Sequence, residues 1–232
     1  NAHLLSDSIE RLKKAGISRI TVSLDAVDID VYQSMGDTTS TPDSILASID
    51  KTLGLGIPVK VNTVVQKGIN DQQLIPLISQ MTSRNVPIRF IEYMDVGATN
   101  SWNLDHVITG EEMRSLIENE FGRLQPIEPN HPSDVARKFC TESGQVIGFI
   151  ESISNPFCGD CSRARLSANG SIFTCLFAAK GFDIRGILRM DATKDEITEA
   201  ISSIWVQRKD RYSETRSETT DSKRIEMSFI GG

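Results

Sequence analysis

The chain has 232 residues and a net charge of −6, with 39% hydrophobic and 24% charged residues. That length can bury the core of one large α/β domain or two modest ones. The acidic balance argues against non-specific nucleic-acid binding, which needs a basic face, and no apolar run approaches a membrane span.

The first 125 residues alternate helix and strand signals. Ile9 and Leu12 mark a helix face from Ser6 to Ala15, with Asp7 and Glu10 arranged like a capping box and Gly16 as the stop. Ser18–Leu24 reads as a short β-branched strand. A second helix opens at Thr41-Pro42, carries Ile45, Ile49 and Leu53 inward, and stops at Gly54 or Gly56. The strand 57–65 follows, and then a helix from Asn70 with Leu74, Leu77, Ile78 and Met81, in which Pro76 is placed to kink it. Residues 86–92 form a third strand. Thr109 and Glu112 cap a fourth helix through Met113, Leu116 and Ile117. Regular alternation of this kind means βα units and a parallel sheet. No Gly-x-Gly-x-x-Gly follows a strand, so a dinucleotide fold has no support.

After Gly122 the texture changes. Pro126, Pro129 and Pro132 break up a loop around His131, and short strands follow at 146–153, 163–167 and 172–176. Asn169-Gly170 joins the last two as a hairpin, whose open end brings Cys161 and Cys175 near each other. Thr193 and Glu196 cap a final helix presenting Ile197, Ile201, Ile204 and Trp205. The charged, Ser/Thr-rich tail from Arg208 to Lys223 reads as mobile, and the chain closes on Gly231-Gly232.

The richest chemistry lies in three cysteines within eighteen residues: Cys158, Cys161 and, thirteen residues on, Cys175. A C-x2-C pair reaches one metal from a single turn, and a third thiolate from a neighbouring segment closes a face. Soft sulfur donors without histidine suit iron–sulfur or zinc rather than calcium or magnesium. Arg163 and Arg165 follow directly, and arginine forks pair with phosphate, so the motif suggests an anion brought to a metal. Clustered cysteines point to ligands in a reducing, cytoplasmic setting rather than to disulfides. A zinc knuckle with Cys140 as fourth ligand is the competing reading, though its C-x17-C-x2-C spacing is loose. Otherwise Cys140 is a buried small residue. Lys60 and Arg89 are single cations in apolar strands, and in a barrel they face the lumen or a strand end. Glu92 and Asp95 could form an acid–base pair, but carboxylates this close in sequence are usually solvated.

Asn155-Pro156-Phe157-Cys158-x-x-Cys161-x-Arg163-x-Arg165-Leu166, Cys175 after Ser-Ile-Phe-Thr, and the closing Gly-Gly resemble the MoaA family, the radical-SAM GTP 3′,8-cyclases of molybdenum cofactor biosynthesis. Thr21–Ala26, Val59-Lys60-Val61-Asn62 and Arg89–Met94 are also similar to it. The resemblance implies the C-terminal portion of an incomplete (β/α) TIM-like radical-SAM barrel over 1–125. A small α+β iron–sulfur region over 126–232, with a mobile Gly-Gly tail, would follow it. It implies conversion of GTP to 3′,8-cyclo-7,8-dihydro-GTP, in which a 5′-deoxyadenosyl radical takes the ribose C3′ hydrogen and the resulting radical attacks guanine C8. On the same ground Cys158, Cys161 and Cys175 hold an auxiliary [4Fe–4S] cluster with one iron open to guanine. Lys60, Arg89, Arg163, Ala164 and Arg165 contact GTP, and Ser23 and Met94 touch S-adenosylmethionine. Gly231 and Gly232 reach the active site. The partners implied are GTP, S-adenosylmethionine and a downstream cyclic pyranopterin synthase, with a homodimer allowed and neither nucleic acid nor membrane. The family's Cys-x3-Cys-x2-Cys loop does not occur in these residues, which begin at Asn1. The expectation is therefore a remainder of something longer, with a second cluster in the intact protein and no turnover by this stretch alone. A different radical-SAM protein with an auxiliary cluster, such as a peptide-modifying maturase, is the other enzymatic reading, and a zinc-stabilised module the non-enzymatic one.

Overall fold

The computed structural model describes residues 2–36, 39–97, 102–131, 134–159, 161–216 and 225–230. They fall into two compact units, 1–93 with 104–155 and 94–103 with 156–232.

In the first unit the elements are α1 (Leu5–Lys14), β1 (Ile20–Ser23), α2 (Ile29–Ser34), α3 (Pro42–Gly54), β2 (Val59–Val65), α4 (Leu74–Thr82), β3 (Ile88–Glu92), α5 (Gly110–Phe121), β4 (Gln125–Ile127), β5 (Arg137–Cys140) and β6 (Val146–Ile150). The strands form one sheet in the order β1-β2-β3-β6-β5-β4. β1, β2, β3 and β6 run parallel, while β5 and β4 are antiparallel additions. A mixed α/β unit with a parallel sheet is the expected class. The strands beyond residue 122 continue this same sheet, because β6 pairs directly with β3.

Burial alternates along β2 and β3 with period two: Val59, Val61, Thr63 and Val65, then Ile88, Phe90 and Glu92, face inward. They pack on Ile9, Ile45, Ile49, Leu77, Ile78, Met81, Met113 and Ile117 from the helices, each almost wholly buried. Truncating one of these, for instance Ile49→Ala, costs about 2–5 kcal/mol through lost transfer energy and a cavity.

Local signals decide most boundaries. Thr41 and Thr109 cap α3 and α5 in reciprocal capping boxes with Ser44 and Glu112. Three expectations change. The Asp7/Glu10 capping box does not form, since α1 starts one residue earlier behind Leu4, which makes no side-chain cap. The helix with Pro76 starts at Leu74 rather than near Asn70, which makes Pro76 its third residue, where an amide would lack an intrahelical acceptor anyway. The short α2 has no expected counterpart; Asp28 caps it by accepting the amides of Asp30 and Val31 at 3.0 Å each.

The second unit holds β7 (Arg165–Leu166), β8 (Ser171–Phe173), β9 (Phe182–Asp183), α6 (Arg185–Arg189) and α7 (Lys194–Val206). β7, β8 and β9 form an antiparallel sheet in that order. The Asn169-Gly170 hairpin is present, though its strands are shorter than expected. Gly170 takes φ +80°, and a Cβ there would lie 2.6 Å from Arg185 Cβ, so only glycine fits. Thr193 and Glu196 cap α7 as expected, yet no residue of that helix is buried, Ile201 and Trp205 being 40% and 37% exposed. The segment 208–216 departs from its reading as a mobile tail. Arg208, Asp210, Tyr212 and Arg216 are each tied by hydrogen bonds, because its charges are matched to buried partners rather than to water. Among the described residues no helix is long and apolar enough to cross a membrane.

Candidate functional site

A row of polar side chains crosses the sheet of the first unit. Parallel pairing sets Ser23 beside Asn62, Asn62 beside Arg89, and Arg89 beside Gly148; Thr21 stands beside Lys60. Paired residues of adjacent strands point to the same side. Ser23, Lys60 and Arg89 therefore share the face turned away from the buried Val61 and Phe90. Arg89 Nε donates to Asn62 Oδ1 at 2.8 Å, which fixes the guanidinium. Gly148 makes room for it: a Cβ at 148 would sit 3.1 Å from Arg89 Cγ. Burial lowers the proton affinity of Lys60, and the charges of Arg89, Arg19 and Lys138 lower it further, against Asp134. Arg89 is lowered by burial and then by Arg19. Cations depressed by burial and by neighbouring positive charge gain from an anion. Asn62 carried no site expectation, although it continues the alternation that presents Lys60.

At the carboxyl ends of β1 and β2, Asp25 accepts the Val64 amide at 2.8 Å. Burial pushes its carboxyl from the ordinary 3.8 up to about 6. Asn70 locks the same corner, donating 2.8 Å bonds to the Asp25 and Val64 carbonyls.

Glu92 and Asp95 are not solvated; both are buried. Glu92, closing β3, accepts the amides of Gly110 at 2.9 Å, Ile153 at 2.7 Å and Ser154 at 2.9 Å, together with the Ser154 hydroxyl. It holds the chain just before Asn155-Pro156-Phe157-Cys158. A carboxylate surrounded by donors in this way is an anchor rather than half of an acid–base pair.

In the second unit Cys158, Cys161 and Cys175 are half-buried and free of disulfides. The Cys161 amide donates to the Cys158 carbonyl at 3.3 Å, closing the C-x2-C turn. Arg163 Nε donates to Cys161 Sγ at 3.2 Å, and its guanidinium lies 5.1 Å from the centre of the Phe157 ring. Burial would raise the Cys161 thiol, but the Arg163 amide and guanidinium outweigh it and hold the thiol below its ordinary value. Burial raises the Cys175 thiol, opposed by the Phe177 amide, and the charges of Asp210 and Cys158 add to the rise. Arg165 is half-buried and feels the charge of Arg163, while Ala164 between them is exposed. The donor chemistry suits an iron–sulfur cluster: three free thiols, one of them held below its ordinary value beside an arginine. Among the described residues, no three His, Cys, Asp or Glu side chains are gathered closely enough to hold a metal ion.

Met94 falls in this second unit and is half-buried. Gly231 and Gly232 lie outside the described residues. Cys140 belongs to the first unit, where it is half-buried on β5 rather than enclosed. Sequence reasoning passed over Asn62, Asp25, Arg208 and Asp210. Of these Asn62 and Asp25 left a trace, as members of the segments Val59–Asn62 and Thr21–Ala26 that resemble the family.

Residues 86–214 match the family model described as Molybdenum Cofactor Synthesis C, and residues 1–81 that of the Radical SAM superfamily. Proteins named GTP 3′,8-cyclase from Staphylococcus epidermidis, Staphylococcus haemolyticus and Staphylococcus aureus are each 41% identical, over 100% of this chain and 70% of their own length. A solved chain titled as TYW1 with a lysine–pyruvate adduct bound is 18% identical, with a TM-score of 0.40 over 63% of this chain and 44% of that one. Two matched family models and identity to named cyclases over the whole of this chain agree with the cysteine motif: the chain belongs to the radical-SAM GTP 3′,8-cyclase family of molybdenum cofactor synthesis.

Proposed function

We propose that these residues form the substrate-holding side of a GTP 3′,8-cyclase, which converts GTP to 3′,8-cyclo-7,8-dihydro-GTP in the cytoplasm and passes it to a cyclic pyranopterin synthase. The observation that carries the reading is Arg163 Nε 3.2 Å from Cys161 Sγ, a guanidinium in contact with a thiol of the C-x2-C turn. Cys158, Cys161 and Cys175 would hold a [4Fe–4S] cluster. When bound, that cluster supplies an iron without a protein ligand, to which a guanine base can attach.

The chain's own residues do the rest. Arg163, Ala164 and Arg165 take the phosphate side of the nucleotide, where a guanidinium fork matches phosphate oxygens. Lys60 and Arg89 add charge from the sheet, and the depression of Lys60 by burial and by the charge of Arg89 is relieved when an anion arrives. Asn62 keeps Arg89 extended for that contact. Ser23 and Met94 contact S-adenosylmethionine, and Gly231-Gly232 is a side-chain-free probe that reaches the reacting nucleotide. The sequence contains no Cys-x3-Cys-x2-Cys, so these 232 residues alone bind a cluster and, weakly, GTP, and turn nothing over.

Anaerobic purification with iron, sulfide and zinc analysis tests the cluster: equal iron and sulfide is expected, and colourless protein with one zinc overturns it. GTP titration of the Arg163→Ala, Arg165→Ala double variant tests the substrate. Undiminished affinity there would remove the arginines from the site.

A further inference from the structure

The hairpin that lies between Cys161 and Cys175 does not itself fix the spacing of the cysteines. Its last paired residues are Arg165 and Phe173. Cys161 lies four residues beyond that ladder on one side and Cys175 two residues beyond it on the other, so no ladder hydrogen bond sets the distance between the two arms.

A different set of bonds spans the gap. Arg208, two residues past the end of α7, donates from Nη1 to the carbonyl oxygen of Cys161. Its Nε donates to Asp210 Oδ2 at 3.3 Å. The same Asp210 oxygen accepts the Thr174 hydroxyl at 2.5 Å, and Thr174 directly precedes Cys175. One continuous path therefore runs from the Cys161 carbonyl through Arg208 and Asp210 to the residue before Cys175. It is partly shielded from water: the Arg208 side chain is 12% exposed and Asp210 30%, the guanidinium lies 5.0 Å from the centre of the Trp205 ring, and Thr174 is buried. Charge-assisted bonds in a sheltered place are stronger than exposed ion pairs. An ordinary surface pair between Arg208 and Asp210 would have no need of the Cys161 carbonyl at one end and the Thr174 hydroxyl at the other.

We propose that Arg208 and Asp210 form a clasp that keeps the C-x2-C turn and the Cys175 arm within reach of each other before any cluster is bound. The clasp rests on reading the three cysteines as cluster ligands. Arg208 and Asp210 are positioning residues: they bond to the Cys161 carbonyl and the Thr174 hydroxyl, and their charges also reach the neighbouring thiols. Their value is preorganisation, since arms already held together lose less freedom when a ligand closes them.

The test uses dibromobimane, which becomes fluorescent on linking two nearby thiols, on the full chain carrying Cys140→Ser and Cys158→Ala. Only Cys161 and Cys175 then remain to be bridged. Once the rate at which each thiol alone alkylates, measured with monobromobimane, has been divided out, Arg208→Ala and Thr174→Val are expected to slow bridging about fivefold, the scale of one hydrogen bond. Thr174→Ser, which keeps the hydroxyl, should bridge at the parent rate. In the chain with all four cysteines, Arg208→Ala should also take up less iron on anaerobic reconstitution, with no change in far-ultraviolet circular dichroism. If Arg208→Ala does not fold, the Thr174→Val and Thr174→Ser pair decides alone. Bridging that ignores both Arg208→Ala and Thr174→Val overturns the clasp, as does a parent that does not bridge. A parent that takes up no iron while bridging still depends on Arg208 supports the clasp and instead overturns the cluster reading.

Discussion

Tyr212 donates its hydroxyl to Asp95 at 2.5 Å, joining residues 117 positions apart within the second unit. Arg216 completes the arrangement, its Nε 3.1 Å from the other Asp95 oxygen and its guanidinium within 5.5–5.9 Å of the rings of Trp102, Phe177 and Tyr212. Tyr212 and Phe177 stack at 4.5 Å. Asp95→Ala removes a buried carboxylate from a buried guanidinium and should cost about 3 kcal/mol, against about 1 kcal/mol for Tyr212→Phe. Urea unfolding followed by tryptophan fluorescence measures both. An unshifted midpoint in Asp95→Ala would remove this network from the stability of the unit.

Gly110 stands where no side chain can. A Cβ there would lie 2.1 Å from Glu151 Oε1 and 2.5 Å from its Cγ. Glu151 is buried and cannot swing aside, because Arg114 at 2.5 Å and Arg137 at 3.0 Å grip its two oxygens. Gly110→Ala should lower stability by about 1–3 kcal/mol through overpacking. Gly54, at the end of α3, meets nothing within 4 Å and does not need a positive φ. Gly54→Ala should instead raise stability by about 0.5 kcal/mol from helix propensity. Thermal melts of the two variants should move in opposite directions.

Asp25 makes the first unit sensitive to pH. Its carboxyl is pushed from 3.8 up to about 6 by burial, so between those values the folded chain binds a proton that the unfolded chain has released. This group therefore favours folding most below about pH 4, and its contribution is lost as pH rises through about 6. Asp25→Asn keeps an oxygen for the Val64 amide without the charge. It should raise stability at pH 7 by about 1–3 kcal/mol and flatten the pH dependence between about 4 and 6. Denaturation midpoints across that range check this, and a parallel decline in parent and variant counts against it.

Asn62 should matter to nucleotide binding without carrying charge. Its 2.8 Å bond to Arg89 Nε holds the guanidinium in the row that also carries Ser23 and lies beside Lys60. Asn62→Ala should weaken GTP binding about three- to tenfold, the effect of one hydrogen bond, and Arg89→Ala should weaken it more. Calorimetric titration with GTP gives both numbers. Equal affinity in Asn62→Ala and the parent would mean that Arg89 needs no such support.

The sequence by itself determined the local elements and the chemistry of the donors. Thr41, Thr109 and Thr193 announce their helices because capping depends on residues three apart, and Asn169-Gly170 announces its hairpin because a tight turn demands particular backbone angles. Cys158, Cys161, Cys175, Arg163 and Arg165 were legible as a soft-donor site beside an anion-binding pair for the same reason: they are near one another in the chain. Only the tertiary structure decided what depends on distant partners. It buried Glu92 and Asp95, which sequence proximity made look solvated, by supplying donors from Gly110, Ile153 and Ser154 for one and from Tyr212 and Arg216 for the other. It set Asn62 beside Arg89, since register between strands is fixed by packing of the opposite face. It also turned the start of a charged tail into a tie between two cysteine arms, because hydrogen bonds between residues 36 and 47 positions apart leave no periodic mark in a sequence.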